Sequence, residues 1–188
     1  MAWATMRAMT KRSTTPLLRI RAAGLLLAAG AFTLAGCGAD GDDAVQDGVL
    51  TVEMDDFHYG DLPDEVPAGT RIAVENESEN ELHEFVTYRL ADDDDRTVDE
   101  IMADPGALLT SGPPVAVLLA MPDSDEQIAA VGDGVLAEPG RYIILCAIPT
   151  GANPGEYLAA AAESDGPPEV DGGPPHFTQG MVAELTVT

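Results

Sequence analysis

The last third of the sequence limits the possible fold most strongly. An apolar run at residues 142–148 contains Cys146, and a stretch rich in Gly and Pro separates it from His176 and Met181. A second run, residues 182–187, closes the sequence with alternating apolar and polar residues. Such alternation is typical of strands that bury one face. We therefore expect two strands whose neighbouring loops present a thiol, an imidazole and a thioether.

Strand-like runs also fill the region upstream, and the segments between them are rich in Gly, Pro and acidic residues. The predicted strands cover residues 50–55, 70–76, 83–90, 115–121, 127–131, 142–148 and 181–187. The sequence shows no phosphate-binding glycine loop and no nucleophile elbow. About seven strands, one short helix and a long inserted loop before the last strand predict an all-β, Greek-key β-sandwich.

Two segments have local signals for helix or loop. Thr97 and Glu100 match a capping box, so we expect a short helix over residues 98–104 that Pro105 ends. Residues 149–175 are rich in Gly, Pro and acids and predict a loop, with at most a brief helical turn at residues 159–162.

The first 36 residues have the pattern of a secretion signal. Basic residues precede an apolar stretch, residues 22–34, which is too short to span a membrane as a helix. The residues just before Cys37 resemble a bacterial lipobox, so we expect Cys37 to be lipidated; an ordinary cleaved signal with an incidental cysteine is the alternative. Residues 37–48 then form a flexible acidic tether, and residues 49–188 form the domain. This predicts an exported protein, lipid-anchored at the outer face of the cytoplasmic membrane or in the periplasm.

The charge of the chain after Cys37 excludes several partners. Four arginines and all 33 acidic residues lie beyond this point, which gives a formal charge of −29. Nucleic acid and anionic membrane surfaces are therefore not expected as electrostatic partners. A basic protein partner or a saline environment is favoured.

With Cys37 lipidated, Cys146 is the one remaining thiol and has no cysteine to pair with. His83, at the start of a predicted strand, supplies an imidazole from a distant part of the sequence, whereas His58 is expected at the surface. Two imidazoles, a thiolate and a thioether are the ligands of a blue-copper ion. His83, Cys146, His176 and Met181 are therefore candidate copper ligands. Zinc is an alternative that the thioether disfavours, and each residue could instead be an ordinary core or surface residue.

Residues 52–57, 68–70, 83–90, 139–146 and 175–187 together resemble a cupredoxin, of the plastocyanin-like kind found in exported bacterial proteins. The resemblance implies one type 1 copper, with His83, Cys146 and His176 as equatorial ligands and Met181 as the axial one. Glu84 stands where small cupredoxins commonly have an asparagine that ties the ligand loops together. Glu84 and Pro175, which adjoin two of the ligands, are expected to support them.

The sequence differs from the family pattern in one large feature. Cys146 and His176 are separated by 29 residues, where the family usually has only a few, so the insertion must leave the ligand region and return. Electron transfer to a redox partner, without enzymatic activity and as a monomer, is the expected function. Copper capture or delivery, and a metal-free module that binds a partner, are the alternatives.

Overall fold

The computed structural model describes residues 44–164 and 166–188. The predicted signal peptide and Cys37 lie outside this range. Ten strands are present among the described residues, and they include the seven predicted ones. In chain order they are β1 Val49–Asp55, β2 His58–Tyr59, β3 Glu65–Val66, β4 Thr70–Asn76, β5 His83–Arg89, β6 Ala116–Ala120, β7 Gln127–Val131, β8 Val135–Leu136, β9 Gly140–Leu145 and β10 Val182–Val187.

The strands form two sheets that pack against each other, which confirms the predicted β-sandwich. One sheet has the order β2-β1-β4-β8, and the other has the order β3-β10-β9-β5-β6-β7. Strands that are distant in sequence are neighbours in both sheets. For example, β1 pairs in parallel with β4, whereas β5 and β9 pair antiparallel in the centre of the larger sheet. The three strands beyond the predicted seven have only two residues each, too few to show an alternation.

The central strands of the larger sheet are buried on both faces. Phe85 and Ile144 face the other sheet and join the main core, whereas Val86 and Ile143 belong to a second apolar cluster. Two short helices, α1 (Val98–Met102) and α2 (Pro105–Leu109), contribute buried Ile101 and Leu108 to this second cluster. Burial on both faces favours a continuous apolar sequence, as in residues 142–145 of β9.

The helices correct two predictions. The capping box of Thr97 and Glu100 is present, but Pro105 begins α2 instead of only ending α1. Proline suits the first turn of a helix because its missing N–H would have no partner there. The insertion also contains a regular ten-residue helix, α3 (Pro154–Glu163), where only a brief turn was expected. Asn153 caps α3 by accepting a hydrogen bond from the amide of Glu156 at 3.1 Å.

None of the helices among the described residues has the length and apolar character needed to cross a membrane.

Candidate metal centre

The two central strands bring His83 and Cys146 to the same end of the larger sheet. His83 is the first residue of β5, and Cys146 directly follows the last residue of β9. Because these strands are antiparallel and pair Val86 with Leu145, the start of one lies beside the end of the other. Buried packing on both faces then fixes the two residues relative to each other.

A short 3₁₀ turn, His176–Gln179, places the other two candidate ligands at this end. Gly180 follows with φ of +113°, a left-handed conformation that glycine adopts without steric cost. The chain therefore reverses tightly, and the amide of Met181 donates to the carbonyl oxygen of His176 at 3.2 Å. In turn, the amide of Cys146 donates to the carbonyl oxygen of Met181 at 3.2 Å.

The long insertion closes on itself at its base, which explains how 29 intervening residues can still leave the ligands together. Pro149 and Pro175 form an antiparallel bridge where the insertion begins and ends. The amide of His176 donates to the carbonyl oxygen of Ile148, and the next amide donates to that of Cys146, at 3.0 and 2.9 Å. The first and last residues of the insertion are therefore adjacent in space, and α3 lies between them in the sequence.

Three donor atoms converge at this end of the sandwich. Nδ1 of His83 lies 3.1 Å from Nδ1 of His176, which in turn lies 3.3 Å from Sγ of Cys146. All three residues offer donor atoms within 4.8 Å of one another. Bonds of about 2.0–2.3 Å from nitrogen and sulfur to one first-row metal ion place the donors about 3–4 Å apart. The spacing therefore suits a single ion.

The surroundings of the donors suit a copper ion. His83, Cys146, His176 and Met181 are all fully buried, at 0% exposure. Both imidazoles turn Nδ1 inward, and Nε2 of each has no hydrogen-bond partner among the described residues. Two imidazoles and a thiol that converge, with a methionine tied to them by backbone hydrogen bonds, fit one type 1 copper ion.

Burial also controls the protonation of the donors. It lowers the pKa of His83 to about 4, and the adjacent His176 adds to this effect. Burial lowers the pKa of His176 as well, although the charge of Glu81 opposes the shift. Burial raises the pKa of the Cys146 thiol well above its usual value. At neutral pH the imidazoles are therefore neutral and able to bind a metal, whereas metal binding must displace the thiol proton.

The site is consistent with that of a cupredoxin. No family model matches the sequence, and no curated protein matches it.

Solved structures similar to the chain include three auracyanins. Dithionite-reduced auracyanin from the photosynthetic bacterium Roseiflexus castenholzii is 21% identical, with a TM-score of 0.42, covering 76% of this chain and 98% of its own. Auracyanin A, a blue copper protein from the green thermophilic photosynthetic bacterium Chloroflexus aurantiacus, is 15% identical, with a TM-score of 0.38 and coverage of 75% and 100%. Auracyanin B is 19% identical, with a TM-score of 0.33 and coverage of 74% and 88%.

Glu84 connects the segment after Cys146 to the insertion. One carboxylate oxygen accepts a hydrogen bond from the amide of Ala147 at 2.9 Å, and the other accepts from the hydroxyl of Tyr157 at 3.1 Å. Tyr59 donates to the backbone carbonyl oxygen of Glu84 at 2.7 Å. Burial raises the pKa of this carboxyl to about 7, against the effect of the two donors to its side chain. A carboxylate therefore links the segment after Cys146 to the insertion. Burying its charge costs more free energy than burying a neutral amide would.

A second acidic residue near the ligands, Glu81, could not be singled out from the sequence. Both of its carboxylate oxygens accept from the amide of Gly151, at 3.1 and 2.9 Å. One of them lies 3.3 Å from Nε2 of His176, in an alignment outside hydrogen-bond geometry. Glu81 belongs to an acidic turn that resembles many others in this chain, so no local signal distinguishes it.

The remaining predicted positions have clear locations. Pro175 bridges to Pro149, and its carbonyl oxygen accepts from the amide of Thr178 at 2.9 Å, so it shapes the turn that begins at His176. His58 is exposed, as expected.

Proposed function

We propose that the chain is a type 1 blue-copper protein that carries single electrons. The observation that carries this proposal is the convergence of two Nδ1 atoms and one Sγ atom in a wholly buried position. His83, Cys146 and His176 would hold the ion, with Met181 as the weak fourth donor. A bound copper ion would supply a one-electron couple between Cu(I) and Cu(II).

Rigid support of the donors favours electron transfer. His83 and Cys146 lie at the ends of two strands that are buried on both faces, and the turn from His176 to Met181 is hydrogen-bonded to Cys146. Donors held in this way keep their positions when the oxidation state of the ion changes, so little reorganisation opposes electron exchange. Complete burial of the donors also excludes water from the site.

The same burial argues against copper delivery as the main function. Transfer of an ion to another protein requires that the incoming ligands reach it, and His83, Cys146, His176 and Met181 have no exposed surface. Release would therefore require the insertion base or the 3₁₀ turn to open first. Electron transfer is the function that needs no such opening.

A visible absorption spectrum of the purified domain loaded with Cu(II) tests the proposal. We expect a strong band from charge transfer between thiolate and copper, and loss of this band in Cys146→Ser. The matched control is His58→Ala, which removes an exposed histidine and should keep the band. A colourless wild-type protein under these conditions, with copper bound, would contradict electron transfer at this site.

We also propose lipid attachment at Cys37 and a basic redox partner for a monomeric protein. The proposal is supported by the lipobox-like sequence before Cys37 and by the formal charge of −29 beyond it. Full-length protein should fractionate with membranes, and Cys37→Ser should be released. Electron transfer to a basic partner should slow as salt rises, because salt screens charges over about 10 Å at 0.1 M. A rate independent of salt, or an unchanged membrane fraction, would contradict the corresponding proposal.

A further inference from the structure

A buried chain of hydrogen bonds leads from the inserted helix to the residue after Cys146. The hydroxyl of Tyr157, in α3, donates to Oε2 of Glu84, and Oε1 of Glu84 accepts from the amide of Ala147. Tyr157 and Glu84 are only 3% and 4% exposed. Water therefore has little access to either oxygen of the carboxylate, and the two protein donors determine its orientation.

The peptide group at the end of this chain belongs partly to Cys146. Its carbonyl oxygen, from Cys146, accepts from the amide of Phe177, and its N–H, from Ala147, donates to Glu84. The 3₁₀ turn thus holds one side of the peptide plane, and the carboxylate holds the other. Because the plane is fixed from both sides, the direction of the Cα–Cβ bond of Cys146 is restricted, and so is the position of Sγ.

The inserted helix is itself firmly placed, so it can serve as a support. Asn153 caps its first turn, and at the base of the insertion the amide of Thr150 donates to the carbonyl oxygen of Pro174 at 3.1 Å, with a return bond from Gly173 at 2.8 Å. Tyr157 packs in the main core of the sandwich. The hydroxyl that reaches Glu84 is therefore held by the helix, the closed base and the core together.

We propose that Tyr157 is a positioning residue of the metal site, acting through Glu84 on the thiolate of Cys146. The inference rests on the proposed function, since it concerns the same site. It assigns a role to the insertion: the helix between Cys146 and His176 supplies the donor that orients a buried carboxylate. Loss of that donor leaves Oε2 without a partner, and the carboxylate is then free to turn away from Ala147.

The test variant is Tyr157→Phe, which removes one hydroxyl and keeps the packed ring. In the copper-free protein, we expect the amide of Ala147 to exchange with solvent about fivefold faster, the factor that corresponds to loss of about one hydrogen bond. In the Cu(II)-loaded protein, the charge-transfer band and the reduction potential should both shift. Tyr142→Phe is the matched control, because it removes a buried-ring hydroxyl that donates to the carbonyl oxygen of Glu138, at the other end of β9.

The outcomes separate this inference from the proposed function. Unchanged Ala147 exchange and an unchanged band in Tyr157→Phe would overturn the inference, even if the wild-type protein is blue. A wild-type protein without a blue band would overturn the proposed function, while the exchange rate in copper-free protein would still decide the hydrogen-bond chain. A shift of equal size in Tyr142→Phe would show only a general effect of removing a hydroxyl and would contradict the specific role.

A second variant tests the proposal without relying on Tyr157→Phe alone. Glu84→Gln keeps the shape of the side chain, and its amide oxygen can still accept from the amide of Ala147, but its nitrogen cannot accept from the hydroxyl of Tyr157. Because Tyr157 acts through this carboxylate, the effects of Glu84→Gln and Tyr157→Phe on the reduction potential should be non-additive in the double variant. Additive shifts would show that the hydroxyl acts by another route and would overturn the proposal.

Discussion

The two ends of the strand pair β5 and β9 differ in burial and in charge. At one end lie His83 and Cys146, both without exposed surface. At the other end lie Arg89 and Arg141, whose side chains are 26% and 33% exposed and make ion pairs. The same pair of strands therefore connects a buried site made mostly of neutral groups to a solvated cluster of charges.

The two ends treat carboxyl groups differently. Glu84, beside the ligands, has no arginine partner in the described part of the chain, and burial raises its pKa to about 7. Glu184, at the other end, receives two hydrogen bonds from Arg141, at 2.9 and 2.7 Å, and these lower its pKa. Burial thus opposes the charged form at the ligand end, whereas pairing favours it at the arginine end.

The two ends therefore contribute differently to the free energy of unfolding. Buried polar groups at the ligand end cost free energy that the apolar core must offset. Exposed ion pairs contribute only small amounts, because water screens them. We therefore expect large responses to metal, pH and mutation at the ligand end and small responses at the arginine end.

The largest expected effect is stabilisation by copper. At a free copper concentration about 1,000 times the dissociation constant, binding to the folded state adds about 4 kcal/mol to the free energy of unfolding. Thermal unfolding with and without copper measures this effect, and Cys146→Ser should lose most of it. Equal stabilisation of both proteins would instead place the copper on surface carboxylates, such as Asp92–Asp95, and would contradict the contrast between the two ends.

The next effect concerns Glu84 in the copper-free protein. Its folded-state pKa, about 7, lies above its usual value, 4.5, so between these pH values the folded state retains a proton that the unfolded state loses. Stability from this group is therefore complete below pH 4.5 and is lost as pH rises through 7. Since one pKa unit corresponds to about 1.4 kcal/mol, the loss is on the order of 3 kcal/mol.

Comparison of the wild type with Glu84→Gln isolates that contribution. His83 acts with the opposite sign, because its lowered pKa makes the folded state gain stability as pH rises from about 4 to 6.5. This histidine is present in both proteins, so its contribution cancels in the difference. Urea unfolding at pH 5 and pH 8 should show the wild type losing stability relative to the variant. Parallel pH profiles would mean that Glu84 does not titrate as a buried carboxyl.

A smaller effect is expected for Arg141→Met at the other end. Arg141 pairs with Glu184 and donates to the backbone carbonyl oxygens of Asp94 and Arg96 at 2.7 and 3.0 Å. Loss of this partly exposed group should cost about 1 kcal/mol in urea unfolding. Arg71→Met should cost less, because the more exposed Arg71 makes one hydrogen bond to the carbonyl oxygen of Asp133, at 2.6 Å, and only a loose contact of 3.7 Å with its carboxylate. A shifted copper spectrum in Arg141→Met would show that the two ends are not independent.

Much of the sandwich could be predicted from the sequence because strand formation has a local signal. The alternation in β1 and the capping box of Thr97 and Glu100 depend on residues within a few positions of each other. Pro154 is a more ambiguous signal for secondary structure, because a proline can either end a helix or begin one. Only the cap supplied by Asn153 and the alanine-rich sequence after it favour the second outcome.

The side chains that converge at the site could be predicted, but not the contacts that support them. His83, Cys146 and His176 stand out because few residue types bind soft metals, and this chain has few of them. Glu84 and Glu81, by contrast, are two of many carboxylates, and their partners Ala147 and Gly151 lie 63 and 70 positions away. Such contacts follow from the pairing of distant strands and from the closed base of the insertion, neither of which has a local pattern.

The smallest expected effect is the stability that is lost when acid protonates Glu184. Its pKa is lowered by Arg141, so the ion pair contributes its full stability above the usual pKa of a glutamate and loses it as pH falls through the folded-state value. The difference between wild type and Glu184→Gln should therefore be a few tenths of a kcal/mol at pH 6 and vanish in more acidic solution. Urea unfolding of the two proteins measures it, and added salt should reduce the difference at pH 6 because the pair is partly exposed. A difference as large as that of Glu84→Gln, or one insensitive to salt, would mean that the arginine end is desolvated like the ligand end, and the contrast between them would fail.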